Sequence, residues 1–259
     1  MLSAQASLRG IYRYPVKGLS PEGLEGTSLA AGQTVAADRL YAIENGPSGF
    51  DPAAAAYFPK QRFLMLMRNE RLARLDTHFD EATHVLTVRE GGREAARGDL
   101  RMPAGRAAIE RFFSGFCADE LRGPPRVLHA PGHSFSDVAK KVVSIINLAS
   151  VAAIETAVGA PVDPLRFRAN LYVDGWPAWH EFELLGETLA VGTKARLKVV
   201  KRIVRCAATN VEPGTGIRDM TIPATLMQTF DHADCGIYAE VIAGGPIAPG
   251  DRIEISSKD

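Results

Sequence analysis

Three stretches of the chain combine residue types at spacings that can do chemistry. The first is Val204-Arg205-Cys206-Ala207-Ala208-Thr209-Asn210-Val211-Glu212-Pro213-Gly214-Thr215-Gly216. Arg196 to Val204, just before Cys206, is rich in Val, Leu, Ile and basic residues and reads as a strand, while Glu212 to Gly216 reads as a turn. Cys206 therefore falls where a strand runs into a loop, with Arg202 and Arg205 close in sequence. Nearby positive charge favours the thiolate, the form that attacks or binds a metal. The opposing reading is a buried structural cysteine, the commoner fate of a lone Cys. The chemistry leaves these two about even.

The second stretch, Arg166-Phe167-Arg168-Ala169-Asn170, packs two cations and an amide into an alternating pattern. In a strand Arg166, Arg168 and Asn170 face one way. Such a face suits a phosphate or a polar heterocycle, because Arg offers a rigid fork of donors. The plainer reading is a solvated strand face with ordinary ion pairs. The third stretch, Tyr12-Arg13-Tyr14-Pro15-Val16-Lys17-Gly18, ends an apolar strand with Lys17 at a Gly turn.

Short strands dominate the elements that must position these residues. Ser7 to Val16 alternates loosely and reads as a first strand, Arg39 to Glu44 as a second, and Arg62 to Met67 as a buried one. Leu72 to Val88 reads as a hairpin with a polar link at 78–83. Helices are fewer. Gly105 to Cys117 sets Ile109, Phe112, Phe113 and Phe116 on one stripe; Asn147 to Val158 repeats the pattern and Gly159 stops it. Pro223 to Phe230 forms a short third helix with Pro in its first turn. Gly123-Pro124-Pro125 marks the internal boundary. The expected fold is β-rich mixed α+β: a small N-terminal β domain over 1–125, then a β-barrel-like domain with a few helices over 126–259.

Composition narrows the function classes. The 259 residues are 46% hydrophobic and 23% charged, as a folded chain with a sizeable core requires. Thirty basic and 30 acidic residues cancel, so a nucleic-acid partner is not expected, although a local basic cluster can hold one small anion. No apolar run is long enough to span a membrane, and Met1 to Gly10 lacks the lipophilic stretch of a secretory signal. Cys117, Cys206 and Cys235 are odd in number and widely spaced, which fits a reducing cytoplasm better than a disulfide framework. Without a C-x-x-C pair, neither a structural zinc site nor an iron–sulfur cluster has an evident ligand set.

Five short motifs in order carry a family resemblance. Tyr14-Pro15-Val16-Lys17-Gly18 resembles the opening signature of the MOSC N-terminal β-barrel domain, and Asp38-Arg39-Leu40-Tyr41-Ala42-Ile43 its second signature. Arg166 to Asn170 resembles the MOSC Arg-Phe-Arg-Pro-Asn motif, and Cys206 to Gly216 the MOSC cysteine loop. Gly236-Ile237-Tyr238 and Gly250-Asp251-Arg252-Ile253 resemble the closing strands. The likeness spans nearly the whole chain. It implies a molybdenum-pterin cofactor (Moco) whose metal is held by Cys206; a soft thiolate suits that metal. It further implies that Lys17, Arg39 and Arg168 converge on the cofactor's phosphate and pterin edges, that Asn170 and Thr209 add neutral hydrogen bonds, and that Cys206 is partly accessible at the floor of the same pocket. Asp137 matches an acidic residue that moves protons near the metal, against a competing role in a turn or helix cap. Four positions depart from the family pattern: Gly18 replaces Ser, Tyr41 replaces Trp, Ala169 replaces Pro and Glu212 replaces Asp.

Other candidates read as structural. Pro131 and Gly132 forbid the helix that would make His129 and His133 a metal pair. Cys235, near His232 and Asp234, resembles a nucleophile with a base, but the family pattern treats that stretch as structural. Cys117 reads as a core residue, and Ser144 and Ser150 as packing or capping residues.

Two functions follow from the resemblance. The first is a molybdenum-dependent reductase of N-hydroxylated or N-oxidised compounds, similar to amidoxime-reducing components. With no flavin, haem or iron–sulfur motif in the chain, electrons would come from a separate donor protein. The second is a sulfur or cofactor carrier in molybdenum cofactor sulfuration, taking sulfur as a Cys206 persulfide from a cysteine desulfurase. The chain is too short to include the pyridoxal-phosphate desulfurase domain itself.

Overall fold

The computed structural model describes residues 6–256. In chain order the strands and helices are β1 (Ala6–Arg13), β2 (Glu22–Leu24), β3 (Thr27–Leu29), β4 (Ala42–Glu44), β5 (Leu75–Asp80), β6 (Val85–Glu90), β7 (Arg93–Asp99), α1 (Pro103–Phe116) and β8 (Arg126–Leu128). The second half contributes β9 (Val143–Asn147), α2 (Leu148–Val158), β10 (Leu171–Asp174), β11 (Thr188–Val191), β12 (Ala195–Val204), α3 (Ile222–Phe230), β13 (Asp234–Ala243), β14 (Gly245–Ile247) and β15 (Arg252–Ile255). The fold is β-rich with three helices, as the short alternating runs predict.

Seven strands close into a barrel in the order β10-β9-β13-β12-β11-β15-β1, with β1 pairing back onto β10 and β2 flanking β1 outside the ring. Closure leaves these strands no free edge. All pairs are antiparallel except β9 with β10, whose parallel pairing requires a crossover; α2 supplies it. Asn147 caps α2 by accepting from the Ala149 N–H at 3.1 Å, and Gly159 ends it at φ 75°.

The barrel is a packed core. Leu8, Ile11, Val143, Ile145, Leu171, Val173, Leu197, Val199, Ile237 and Ala239 fill its interior, each 1% exposed or less. A bulge between Leu8 and Gly10 shifts the register of β1 against β10, so inward positions run Ala6, Leu8, then Ile11. That slip explains the loose alternation of this segment: one extra residue reverses the parity of every side chain after it.

The N-terminal region forms a second core. The meander β5-β6-β7 lays Leu75, Phe79, Leu86 and Val88 against α1, which buries Ile109 and Phe113 completely and Phe112 and Phe116 in part. Chain order and spatial order differ here. The first strands belong to the C-terminal half: β1 lies in the barrel wall and β3 pairs with β14. Conversely β8, just after Gly123-Pro124-Pro125, pairs with β4.

Two sequence expectations fail locally. Arg62 to Met67 is not a strand; it follows a 3-10 turn at Lys60–Arg62 and makes one bridge, from Phe63 to Glu44. A run that is apolar because it is buried cannot be told from a strand by periodicity. Arg166 to Asn170 is not a strand either, as described next.

Candidate functional site

Lys17 and Arg39, 22 positions apart, are brought together by backbone. Val16 and Tyr41 form a parallel bridge, the Lys17 N–H donates to Tyr41 O at 2.8 Å, and the Arg39 N–H donates to Tyr14 O at 2.8 Å. The Phe135 N–H donates to Arg39 O at 2.8 Å and draws in the segment that carries Asp137. Arg168 arrives from across the molecule. A 3-10 turn, Pro164–Phe167, is capped by Asp163, and Arg168 ends it in the left-handed conformation at φ 51°. Arg39 is left-handed too, at φ 49°. Such conformations cost of order 1–3 kcal/mol at non-Gly residues and persist where the surroundings enforce them. Here both side chains are tied to backbone carbonyls. Arg39 Nη2 donates to Arg168 O at 2.9 Å, and Arg168 Nη2 donates to Leu19 O at 2.8 Å. Both guanidinium groups lie over the buried Tyr14 ring, at 4.5 and 4.2 Å from its centroid.

Because Arg168 terminates a turn, Arg166 does not share its direction. Arg166 is 4% exposed and makes a two-pronged ion pair with Asp219, at 2.7 and 2.6 Å. The strand expected to set Arg166, Arg168 and Asn170 on one face does not form; the three reach the wall of one cavity from a turn instead.

Cys206 stands two residues past β12, with extended backbone, ahead of a 3-10 turn at Ala207–Asn210. The N–H and the hydroxyl of Thr209 both donate to Cys206 O at 3.0 Å and fix the loop. The cysteine is partly exposed, whereas Cys117 and Cys235 are buried completely. The cation against its sulfur is neither arginine named from sequence. Arg205 turns inward to Phe167 O and Cys235 O, and Arg202 lies 4.3 Å over the Phe182 ring. Instead Lys60 Nζ sits 3.2 Å from Cys206 Sγ. Lys60 lies 146 positions upstream, and its only sequence signal is the basic cluster Lys60-Gln61-Arg62 after an Ala-rich tract.

Asp137 joins the two lysines. It accepts from Lys17 Nζ, and its other oxygen lies 3.9 Å from Lys60 Nζ. Burial pushes its carboxyl up, but Lys17 and Lys60 outweigh burial and hold it well below the usual carboxylate range. The Lys17 ammonium is itself pulled below its ordinary value by burial, against the opposing pull of Asp137. Lys17 also donates to Phe135 O at 2.8 Å.

Lys17, Arg39, Arg168, Asn170, Thr209, Asp137 and Cys206 all line one cavity of about 260 Å³. Asn170 is 2% exposed and uses its amide internally: its oxygen accepts from the N–H and hydroxyl of Ser144, and its nitrogen donates to Tyr12 O. Asn170 and Thr209 thus shape the wall. Eight of the chain's 30 Lys and Arg line this cavity, against the two carboxylates Asp38 and Asp137. In a chain with zero formal net charge this is a strong local positive field.

The four departures have structural partners. Gly18 has φ 83°, and a Cβ there would stand 2.7 Å from Leu64 O, so a serine does not fit. The Tyr41 hydroxyl meets His84 Nδ1 at 2.7 Å, the Ala169 N–H donates to Tyr172 Oη at 3.2 Å, and the Thr215 hydroxyl donates to Glu212 at 2.6 Å. His129 packs on Tyr41 and His133 on Phe135, apart from each other as read from sequence. Ser144 and Ser150 serve the interior, Ser150 donating to Glu181 at 2.8 Å.

Among the described residues no three His, Cys, Asp or Glu side chains gather to hold a metal. A metal at Cys206 therefore needs its remaining ligands from a cofactor, and the surrounding cations suit one that carries phosphate. The donor set fits a metal–pterin and does not fit a metal held by protein alone.

No curated protein matches the chain. Two solved structures resemble it weakly. The YuaD protein from Bacillus subtilis has 13% identity over 98% of this chain and 97% of that one, with a TM-score of 0.48. YiiM from Geobacillus stearothermophilus has 22% identity over 44% and 54%, with a TM-score of 0.35. Neither likeness carries an argument about this chain. Family models are decisive: the MOSC N-terminal beta barrel domain matches residues 5–117 and the MOSC domain matches residues 130–254. With both halves matched in order, and residues of the first four motifs and Tyr238 of the fifth lining one cavity, the chain belongs to the MOSC domain family.

Proposed function

We propose that the protein binds a molybdenum-pterin cofactor in the cationic cavity, with Cys206 as the metal's protein ligand. On this reading it reduces N-hydroxylated or N-oxidised compounds with electrons from a separate donor protein. The observation that carries the reading is the pairing of one partly open thiol with a convergent set of cations. When bound, the cofactor would supply redox chemistry for breaking a substrate N–O bond. The chain's residues do the rest. Lys17, Arg39 and Arg168 grip the phosphate and pterin edges, each already held by a neighbour: Lys17 by Phe135 O, Arg39 by Arg168 O and Arg168 by Leu19 O. Thr209 fixes the loop that aims Cys206. Asn170 ties β1 to β9 beneath the site through Tyr12 and Ser144.

Asp137, expected as the proton mover, is held as a carboxylate while Lys17 and Lys60 face it. An ionised carboxylate accepts a proton and does not give one. We assign it to receive protons from solvent on its open side, where 49% of its side chain is exposed, and to pass them toward the cavity that it lines. Three free cysteines suit a reducing cytoplasm. No helix among the described residues is long and apolar enough to cross a membrane.

The test is expression with molybdate in a host that makes the cofactor, followed by molybdenum and pterin analysis and turnover of benzamidoxime with a chemical reductant. About one molybdenum per chain with turnover supports the reading. Pterin-free protein carrying a persulfide at Cys206 by mass spectrometry replaces it with the sulfur-carrier function.

A further inference from the structure

We propose that the cavity receives a second anionic group besides the phosphate of a pterin, carried by the substrate and held by Lys201 and Arg202. This inference rests on the reductase reading above and names its substrate class: N-oxygenated compounds that also bear a carboxylate or phosphate.

Most cations of the cavity are already engaged. Lys17 has Asp137 and Phe135 O; Arg39 has Asp38; Arg166 has Asp219; Arg168 has Leu19 O; Arg205 has Phe167 O and Cys235 O. Lys60 has Cys206 and Asp137. Lys201 differs: among the described residues its ammonium makes no hydrogen bond and no ion pair. Arg202 is only partly engaged: its guanidinium lies over the Phe182 ring, its closest carboxylate, Asp234, is 3.9 Å away, and its Nε is buried without an acceptor. A bound acceptor would satisfy that donor.

Charge counting agrees. Against the eight cations stand Asp38, Asp137, Asp219 and Asp234, which leaves four positive charges over. A phosphate monoester takes up at most about two. The remainder includes Lys201, which has no partner among the described residues. Backbone geometry places it usefully. Register shifts in β12 between Val199 and Lys201, and again between Arg202 and Val204, interrupt the alternation that packs Ala195, Leu197 and Val199 into the barrel. Bulges of this kind re-aim side chains beside functional sites. Lys201 and Arg202 consequently line the cavity a few residues before Cys206. Five residues of strand span about 17 Å, which bounds the separation of anion and N–O group in the substrate.

The test uses the cofactor-loaded protein and two probes, benzamidoxime and 4-carboxybenzamidoxime, titrated by calorimetry. The carboxylated probe is expected to bind about 5-fold more tightly at low salt, the scale of one partly exposed ion pair. That preference should shrink on raising salt to about 0.2 M and fall close to one in Lys201→Met. Equal affinities in the parent, or a preference untouched by Lys201→Met, overturn the proposal. Loss of pterin in Lys201→Met, or a nucleotide-extended pterin found by mass spectrometry, assigns the second anion to the cofactor and overturns it as well. Absence of turnover with either probe sinks the reductase reading alone, because the affinity ratio still judges Lys201.

Discussion

Two regions of the molecule each hold a cysteine and a carboxylate, and they behave in opposite ways. At the cavity, Cys206 and Asp137 face Lys60 and Lys17. Behind the barrel, Cys235 and Glu181 lie among α2, α3 and an aromatic cluster of Trp179, Phe182, Phe230 and His232. Cys235 and Glu181 are both fully buried, and no lysine reaches them. Burial pushes the Cys235 thiol up to about 12 and raises the Glu181 carboxyl, although Asn147 and Ser150 pull the latter the other way. At the cavity the lysines reverse the effect of burial on Asp137. At Cys235 burial outweighs the nearby Arg205, whereas at Asp137 the ion pairs with Lys17 and Lys60 outweigh burial, so the balance of burial and paired charge decides which form is favoured.

The comparison can be broken most decisively at the cysteines. Native protein treated with iodoacetamide should be alkylated at Cys206 and spared at Cys235 and Cys117 until it is unfolded, as peptide mass spectrometry would show. Cys206→Ser should keep its far-UV spectrum and melting cooperativity and lose bound molybdenum, while Cys235→Ser keeps molybdenum at a stability cost of about 1–3 kcal/mol for a buried hydroxyl lacking a partner. A Cys206→Ser protein that retains molybdenum as the parent does removes the basis for assigning this ligand.

The cation side comes next. Lys17→Met, Arg39→Met or Arg168→Met should each weaken cofactor retention by about 1–3 kcal/mol, the scale of a hydrogen bond to a charged group. Pterin release followed by fluorescence would measure it. Lys60→Met should cost less, about 1 kcal/mol, and Lys60→Arg should recover part of that. Equal retention in all four variants would mean that the cations serve the fold and not a ligand.

The smallest effects are in pH dependence, and their signs differ. The Asp137 carboxyl is depressed, so its contribution to stability is complete at neutral pH and fades as pH falls below about 4 toward its depressed value. Asp137→Asn should flatten the acid limb of the melting curve. Glu181 is raised, so its contribution is complete below the ordinary glutamate range and is lost as pH rises through the raised value. Glu181→Gln should gain on the parent as pH rises from about 5 to about 8. Parallel pH profiles for the two variants would erase the contrast between the regions.

Elements whose pattern matches one regular backbone were legible before the structure. α2 runs from an Asn cap to a Gly stop, and α1 buries its predicted stripe. β12 delivers Cys206 to a loop as its Val, Leu and Ile content implies. Convergence of Lys17, Arg39 and Arg168 was available from motifs, since side-chain identity is local and the family order is linear. What chain order hides is pairing between distant segments. Barrel closure by β1, the turn that splits Arg166 from Arg168, and above all the approach of Lys60 to Cys206 depend on long-range contacts whose partners do not show in local periodicity. Residue types alone establish a thiol and a set of cations. Which lysine meets the sulfur and which is left without a partner follows from the folded chain, because an ion pair needs proximity in space and charge alone does not supply it.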